Sequence, residues 1–334
     1  MPHPTLGYGV PVFLLAARQR QLAGETPSVI THGRQINASN TGLNYHGIPE
    51  SSLVSTPGFQ NYSTPGQVVQ GKLFNNRVDI SGDNILVKDC KLTNGGVDTF
   101  GFNITGANVT LEGCLIVANP GTSITEPFFI TNNIAGATIR RCDISLGCQA
   151  GSYYGTGGLL EENYFHDTSV ASDPTQHPDV LEVYGGSGLI IRRCRLMEGA
   201  ILADAVVNIA PWQASNPSVD GTQILDNYMQ GGQEIILLDE QSTGDITNTV
   251  VMRNDMDQHT NPDTGSSFGV NRALTDYEGR PIYQTASQQA ANPSSILWPS
   301  TTGNTDVSRW VNPDGIIPDW TGLIVLPPQS NNGP

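Results

Sequence analysis

The chain has 334 residues, of which 16 are basic and 31 acidic, so its formal net charge is −15. This charge argues against a protein that follows nucleic-acid phosphates with a basic surface. Its 37 glycines and 22 prolines disfavour a fold of long helices, and no apolar stretch approaches the roughly 18 residues of a membrane-spanning helix. We therefore expect neither a nucleic-acid partner nor membrane insertion. The five cysteines have spacings that repeat rather than pair, which argues against a disulfide framework.

Residues 1–66 lack the repeat that fills the middle of the chain, and we expect them to form an N-terminal cap or attachment segment. The run VPVFLLAARQRQLAG is typical of a short amphipathic helix that could cover the first repeat. The run STPGQ (63–67) predicts a turn into that repeat.

A short motif then recurs seven times within residues 67–256. It has the form Φ-x-Φ-x-x-[Cys/Asn]-x-Φ, where Φ is apolar, and the residues at its Cys/Asn position, the pivot, are Cys90, Cys114, Cys142, Asn163, Cys194, Asn227 and Asn254. The positions three before and two after each pivot are apolar in every copy. This alternation predicts strand with one buried face and a bend at the pivot. We expect stacked asparagines to hydrogen-bond to the backbone of successive repeats, and cysteine to fill the same space.

A second strand is predicted in most repeats, because apolar and β-branched residues also cluster between the pivots. The segments are FGFNITG (100–106), PFFITNN (127–133), DVLEVYGG (179–186), AVVNIAPW (205–212) and EIILLDEQ (234–241).

Two kinds of repeat protein use such a column, the leucine-rich repeat and the right-handed parallel β-helix. Leucine-rich repeats keep a tighter period and add a helix or extended convex segment, whereas the steps here range from 21 to 33 residues. We therefore predict an all-β fold, a right-handed parallel β-helix over residues 67–256, in preference to the leucine-rich alternative. Residues 257–334 are rich in Pro, Asn, Asp and Thr, and they predict an irregular C-terminal cap or interaction region.

The segments TPGQVVQGKLFNNRVDISGDNILVKDCKL (64–92), NVTLEGC, ATIRRC and HPDVLEVYGGSGLIIRRC resemble pectate-lyase-like β-helix proteins. They most resemble the β-helical minor tail proteins of phages that infect actinobacteria, and related actinobacterial surface proteins. The resemblance covers roughly residues 40–256. It implies a virion tail location, other tail proteins and host-envelope polysaccharide as partners, and a homotrimer.

The catalytic motifs of the enzymes with this fold do not carry over to the chain. No Arg-x-Pro-x-x-Arg string of pectate lyases occurs in it. Of the glycosidase series only Asn304-Thr305-Asp306 is present, beyond the repeats and without its partner motifs. We expect no cofactor, and the leading hypothesis is a non-enzymatic adhesive tail protein. A polysaccharide hydrolase or lyase is the alternative, and a free actinobacterial surface protein is a third possibility.

One polar segment, HDTSVASDPTQHPDVLEVYGG (166–186), stands out as a candidate for catalysis or metal binding. Its ionisable residues are His166, Asp167, Asp173, His177, Asp179 and Glu182. The purely structural alternative is an exposed loop in which His177 or Asp179 caps the next strand. No metal-ligand spacing occurs in it, so we predict no metal site.

Alternation also predicts outward-facing residues on the second strand, which could form a shallow groove for sugar rings. The candidates are Asn103, Glu182, Tyr184, Asn208, Trp212 and Asp239. Glu182 and Asp239 are two repeats apart, hence about 10 Å, a separation compatible with glycoside cleavage. An ordinary solvated sheet face is the competing interpretation.

Two further sets of residues have mainly structural interpretations. The four column cysteines are expected to point inward and pack, whereas Cys148 lies outside the column. The arginines at 140, 141, 192, 193 and 195 are expected to pair with Glu161, Glu162 and Asp143 on neighbouring repeats, with an anion site as the alternative.

Overall fold

The computed structural model describes residues 30–93, 100–117, 126–130, 134–145, 151–167, 179–197, 205–211, 218–231, 234–238, 246–247, 249–252, 254–257, 274–276 and 305–306. This part of the chain is all-β, and its short strands build long parallel sheets. The arrangement is compatible with the predicted parallel β-helix. None of the described helices is long and apolar enough to cross a membrane.

Three large sheets and one small sheet contain all the described strands. The first sheet consists of β1 (Val54–Thr56), β4 (Lys72–Phe74), β7 (Lys91–Thr93), β10 (Leu115–Val117), β13 (Asp143–Ser145), β16 (Tyr164–His166), β20 (Arg195–Met197), β24 (Tyr228–Gln230), β28 (Asp255–Asp257) and β30 (Thr305–Asp306). The second consists of β2 (Gln60–Tyr62), β5 (Val78–Ile80), β8 (Phe100–Ile104), β11 (Glu126–Ile130), β14 (Ser152–Tyr153), β17 (Leu181–Val183), β21 (Ala205–Ile209), β25 (Glu234–Leu238) and β29 (Leu274–Asp276). The third consists of β3 (Val68–Gln70), β6 (Leu86–Lys88), β9 (Thr110–Glu112), β12 (Thr138–Arg140), β15 (Leu159–Glu161), β19 (Ile190–Arg192), β23 (Gln223–Leu225) and β27 (Val250–Met252). The small sheet consists of β18 (Gly186–Ser187), β22 (Val219–Asp220) and β26 (Ile246–Thr247).

The chain visits the first, second and third sheets in turn, and we call one such set of three strands a repeat. Each strand pairs in parallel with the corresponding strand of the next repeat, as β6 does with β9. The five predicted second-strand segments all contain strands of the second sheet, β8, β11, β17, β21 and β25. The sequence pattern missed β5 and β14, which are only three and two residues long.

The predicted motif is two strands separated by a corner, rather than one bent strand. In the copy around Cys90, β6 ends at Lys88, the corner residue Asp89 has φ +53°, and β7 begins at Lys91. The other described corner residues also have left-handed backbone: Gly113, Arg141, Glu162, Arg193 and Asp226. This conformation is uncommon for arginine and glutamate, which is why the pattern predicted a bend but not its geometry.

The two apolar columns of the motif form the core, as the repeat predicted. The position three before the pivot is fully buried in the six copies whose side chains the structure describes: Val87, Leu111, Ile139, Leu160, Ile191 and Ile224. The position two after the pivot is equally buried: Leu92, Ile116, Ile144, Phe165, Leu196 and Met229. Members of each column are in register across neighbouring strands, so every repeat buries its apolar face against the next.

The pivots form a buried column, and the predicted asparagine ladder is confirmed. The Asn163 side chain accepts a hydrogen bond from the Cys142 backbone N–H (2.9 Å) and donates one to the Ile139 carbonyl (2.8 Å). The cysteines of the column are free and buried, and the Cys194 thiol donates to the Leu160 carbonyl (3.5 Å). Burial raises the pKa of the Cys194 thiol to about 12, so these thiols are packing groups. Cys148 lies outside the described residues.

The arginines near the pivots form the expected ion pairs with two of the three predicted acids. Arg141 Nε lies 2.8 Å from Glu162, and Arg192 and Arg193 both contact Glu161.

For the remaining three residues of this set, Arg140, Arg195 and Asp143, the predicted pairing was wrong. Arg140 pairs instead with Glu112 (2.7 Å), and Asp143 pairs with His166 (2.8 Å). Arg195 lies over two aromatic rings, those of Tyr164 and Tyr228. These partners are set by strand register, which the sequence motif does not specify beyond the apolar columns.

Residues 31–53, which we call the N-terminal strap, run along the corner line between the third and first sheets. The strap contains two 3-10 helices, Gly33–Gln35 and Glu50–Ser52, and a short helix α1, Gly42–Tyr45. Successive strap residues contact successively earlier repeats, so the strap runs opposite to the direction of stacking.

Four contacts fix the strap to the corners. The Gly33 N–H donates to the Asp226 carbonyl (2.8 Å), and the Gly42 N–H donates to the Arg141 carbonyl (2.8 Å). Further along, His46 Nδ1 lies 2.5 Å from Asp89 Oδ1, and Glu50 pairs with Lys91. Glycine is required at Gly33, because a Cβ there would lie 2.0 Å from the Cys194 carbonyl oxygen.

The sheets extend beyond both boundaries suggested by the repeat. Strands β1 and β2 lie N-terminal to residue 67. Strands β29 and β30 lie C-terminal to residue 256 and continue the second and first sheets. Residues 1–29, including the predicted amphipathic helix, lie outside the described residues.

Candidate functional site

Three of the predicted ligand-binding residues share one register position in the second sheet. Asn103, Glu182 and Asn208 belong to a row that crosses seven neighbouring strands and alternates with core residues such as Phe102. We call this the outer row; its members are Asn61, Asp79, Asn103, Phe129, Ser152, Glu182 and Asn208. The structure thus brings together residues that the alternation pattern assigned to one face.

The middle of the outer row is not an open, solvated surface. Asn103 is 8% exposed and Glu182 only 3% exposed. The Asn103 amide donates to Asp79 Oδ1 (3.1 Å), which also accepts from Arg77 Nε (2.6 Å). These polar groups are therefore satisfied within the protein, as buried polar groups usually are.

A row of aromatic rings accompanies the outer row across four consecutive strands or strand ends. Phe100 and Phe129 stack with centroids 4.5 Å apart, Tyr154 lies 5.3 Å from Phe129, and Tyr184 lies 5.0 Å from Tyr154. We call these four residues the aromatic row. Tyr184 was predicted as a ligand-binding residue, whereas its three companions were not.

Two predicted catalytic candidates, Asp179 and Glu182, meet near the end of this row. Their carboxyl groups hydrogen-bond to each other, and Glu182 also hydrogen-bonds to the Tyr184 phenol. Asp179 accepts from the Ala205 N–H (2.6 Å) through Oδ1 and from the Asn208 amide (2.9 Å) through Oδ2. The predicted cap on the following strand was wrong for Asp179, since this residue is buried and the N–H that it accepts belongs to the neighbouring strand β21.

A third carboxyl group, Glu126, completes a buried acidic cluster that the sequence reasoning missed. The Ser152 hydroxyl hydrogen-bonds to Glu126 and donates to Glu182 Oε2 (3.3 Å), so it lies between the two carboxyl groups. Glu126 is 8% exposed, and its Oε2 atom has no hydrogen-bond partner. A signal was available in the sequence, because an acidic residue stands at or next to the start of several second-sheet segments: Glu126, Asp179, Asp204 and Glu234.

Burial and mutual repulsion alter the acidity of the cluster. Burial raises the pKa of Glu126 to about 7. Burial, followed by the nearby charges of Asp179 and Glu126, raises the pKa of Glu182 well above its ordinary value. Glu182 therefore holds its proton more tightly than an ordinary glutamate, beside an Asp179 carboxyl that accepts two hydrogen bonds.

This arrangement has the elements of acid–base chemistry but not an accessible site. The Ser152 hydroxyl donates to Glu182 Oε2 (3.3 Å) and also adjoins the Glu126 carboxyl, so two carboxyl groups neighbour one hydroxyl. Asp179 and Glu182 are in direct contact, which leaves no room for a sugar between them. Because Glu182 is 3% exposed, a polymer does not reach it in this conformation.

The remaining predicted residues are dispersed or lie outside the described part of the chain. His177, Trp212 and Asp239 lie outside it. The strand position that follows Asn208 in the outer row is held by Leu237. The proposed proximity of Glu182 and Asp239 therefore stays a prediction, because Asp239 is outside the described part of the chain.

The histidine at the start of the polar segment belongs to a different sheet from the acidic cluster. His166 lies on β16 of the first sheet, where it contacts Asp143 (2.8 Å) and Asp167 (2.7 Å). The segment from 166 to 186 is therefore divided between two faces. In the part of the chain that the structure describes, no group of three or more His, Cys, Asp or Glu side chains is placed to hold a metal ion.

The acidic cluster predicts that stability falls as pH rises. Folding raises the pKa of Glu126 from 4.5 to about 7, so the folded state holds the proton more tightly. Its contribution is complete below pH 4.5 and is lost as pH rises through about 7. We expect Glu126→Gln to gain about 3 kcal/mol relative to the wild type between pH 4.5 and pH 8 in urea unfolding. The exposed Glu50→Gln variant is the control, and an equal pH response in all three proteins would contradict the prediction.

Comparisons with protein-family models, with curated proteins and with solved structures give no match to this chain. The assignment of a function therefore depends on the geometry above and on the sequence resemblance.

Proposed function

We propose that the chain is a right-handed parallel β-helix protein of a phage tail, and that its second sheet binds glycan of the host envelope. The observation that carries the binding proposal is the aromatic row, in which Phe100, Phe129, Tyr154 and Tyr184 follow one another at 4.5–5.3 Å. A linear polymer that lies along the stacking direction can contact Phe100, Phe129 and Tyr184, whereas Tyr154 is buried and packs between its neighbours. Phe100, Phe129 and Tyr184 are each partly exposed, which makes them accessible to such a ligand.

Polar groups beside the rings supply hydrogen bonds that sugar hydroxyls require. Asp79, Arg77 and Asn208 are half-buried and lie at the two ends of the aromatic row, with Arg77 over the Phe100 ring at 5.8 Å. The Asn208 amide N–H donates to Asp179 Oδ2 (2.9 Å), which fixes the orientation of this side chain beside the rings. A shallow surface of aromatic and polar side chains suits an adhesin, which binds a polymer through many weak contacts.

The binding proposal predicts that the affinity for polysaccharide falls when side chains of the aromatic row are truncated to alanine. We expect Phe129→Ala combined with Tyr184→Ala to weaken binding to host cell-wall polysaccharide by at least about tenfold, because two ring contacts are removed. Cosedimentation with purified cell walls measures the loss. The control is Tyr164→Ala, which removes a partly exposed ring from strand β16 of the first sheet. Absence of wild-type binding, or equal binding by the double variant, would refute the proposal.

The tail assignment is supported by the resemblance of residues 40–256 to β-helical minor tail proteins. It carries the proposed partners, which are other tail proteins and host-envelope polysaccharide, and a homotrimer. Mass spectrometry of purified virions and labelling with antibody against this chain test it. Detection in the membrane or medium of bacteria free of phage would favour the alternative of an actinobacterial surface protein.

A polysaccharide depolymerase is the second candidate, favoured by two neighbouring carboxyl groups, Glu182 and Glu126, whose pKa values are both raised by burial. In this alternative the site opens to admit the polymer, because Glu182 is 3% exposed in the structure. Glu182 donates its proton to the leaving oxygen as the glycosidic C–O bond breaks, and the Glu126 carboxylate bonds to the anomeric carbon; water then hydrolyses this glycosyl ester. Release of new reducing or unsaturated ends by the wild type, abolished in Glu182→Gln, would establish it. Binding without release supports the adhesive function.

A further inference from the structure

The first repeat ends three sheets at once and leaves their outer edges unpaired among the described residues. Strand β1 is the terminal strand of the first sheet, β2 of the second and β3 of the third. Each presents backbone N–H and C=O groups in the direction away from the stack. We call the surface formed by these three strands and their connecting turns the end face; it covers residues 54–70. Unpaired parallel edges are sites where a further strand adds readily.

The end face also carries every large apolar side chain that is exposed in the described part of the chain. These are Val54, Phe59 and Val68, with exposures of 58%, 54% and 59%. In contrast, the apolar columns of the following repeats are fully buried. An exposed apolar group confined to one small surface marks an interaction site more clearly than scattered apolar residues do.

Charge distinguishes the end face from the rest of the molecule. Residues 51–71 contain no Asp, Glu, Lys, Arg or His, although the whole chain has a net charge of −15. Natural edge strands are normally protected by charged residues, especially lysine, or by proline within the strand. Here the two prolines of this segment, Pro57 and Pro65, lie in the turns between strands, so the edges themselves lack both protections.

We propose that the end face binds the end face of a second copy of this chain, related by a two-fold axis. Two strongly acidic chains repel each other across most of their surfaces, whereas this surface brings no charges together. A two-fold axis makes the same patch serve both sides, so each exposed edge meets an exposed edge and the strands pair antiparallel. The apolar side chains Val54, Phe59 and Val68 then become buried between the two copies.

The experiment is sedimentation velocity on the full chain over a range of concentrations. The contact is small, so we expect a reversible association in the micromolar range, and a wild-type mass that approaches twice that of the variants. Val54→Lys and Val68→Lys each place a charge on the edge and are expected to abolish the doubling. The matched control is Thr156→Lys, which adds the same charge at an exposed position in a different repeat and should leave the doubling intact.

We expect the variants to fold, because both valines are exposed and neither belongs to the core. Circular dichroism checks this. Doubling that is lost in both valine variants and kept in Thr156→Lys supports the proposal. A wild-type mass that is independent of concentration overturns it. An oligomer that Val54→Lys and Val68→Lys leave unchanged, such as a trimer formed through lateral surfaces, also overturns it.

Discussion

Replacing Asn227 with alanine is expected to lower the free energy of unfolding by about 3–5 kcal/mol, since it leaves two buried backbone groups without partners. The Asn227 side chain is fully buried. It accepts from the Cys194 N–H (2.8 Å) and donates to the Ile191 carbonyl (3.0 Å), so it connects its own repeat to the preceding one. Urea unfolding followed by far-ultraviolet circular dichroism measures the loss.

Asn227→Cys provides the matched comparison, because cysteine occupies the same column in four other repeats. There the thiol donates to a carbonyl of the preceding repeat, as Cys194 does to Leu160 (3.5 Å). We expect Asn227→Cys to lose less than half of the stability that Asn227→Ala loses. A loss of less than about 1 kcal/mol in the alanine variant would show that the ladder contributes little.

A second large decrease in the free energy of unfolding is expected for Phe102→Ala. Phe102 is fully buried, and its ring lies 6.1 Å from that of Phe74 in an edge-to-face contact. Truncation removes apolar burial and leaves a cavity in the core, which lowers the free energy of unfolding by about 3–5 kcal/mol. The measurement is the same urea unfolding.

Phe100→Ala is the control for this variant, because it removes the same side chain two residues earlier in strand β8. Phe100 is partly exposed and stacks on Phe129 at the surface. Its truncation is expected to cost about half as much as that of Phe102. Equal losses in the two variants would mean that the difference in burial between the two rings does not set the cost of truncation.

The acidic cluster and the N-terminal strap show how the repeats depart from a uniform stack. Glu126 and Glu182 are carboxyl groups whose pKa values are raised mainly by burial, so their ionisation weakens the fold. The strap, in contrast, hydrogen-bonds to corner carbonyls such as those of Asp226 and Arg141. It thereby satisfies groups that the left-handed corner turns away from the sheets.

Much of the candidate site followed from alternation, and the rest depended on register. Asn103, Glu182 and Asn208 fall on one row because side chains of a strand alternate with period two, which a sequence displays directly. Glu126 was missed because it lies two strands from Glu182 in space but 56 positions away in the chain. Repeat counting allowed Glu182 and Asp239 to lie about 10 Å apart. Asp239 lies outside the described residues, and Leu237 holds the position beside Asn208 in the outer row.

The sequence by itself determined that the described part of the chain is all-β, which residues form the core columns, and that asparagine and cysteine stack at the pivots, because each depends on a local period. Tertiary structure decided which ions pair, where the strap runs, that the outer row is largely buried, and that the uncharged residues 51–71 form one end of an acidic molecule. These depend on register and on contacts between distant parts of the chain, and no local pattern encodes them.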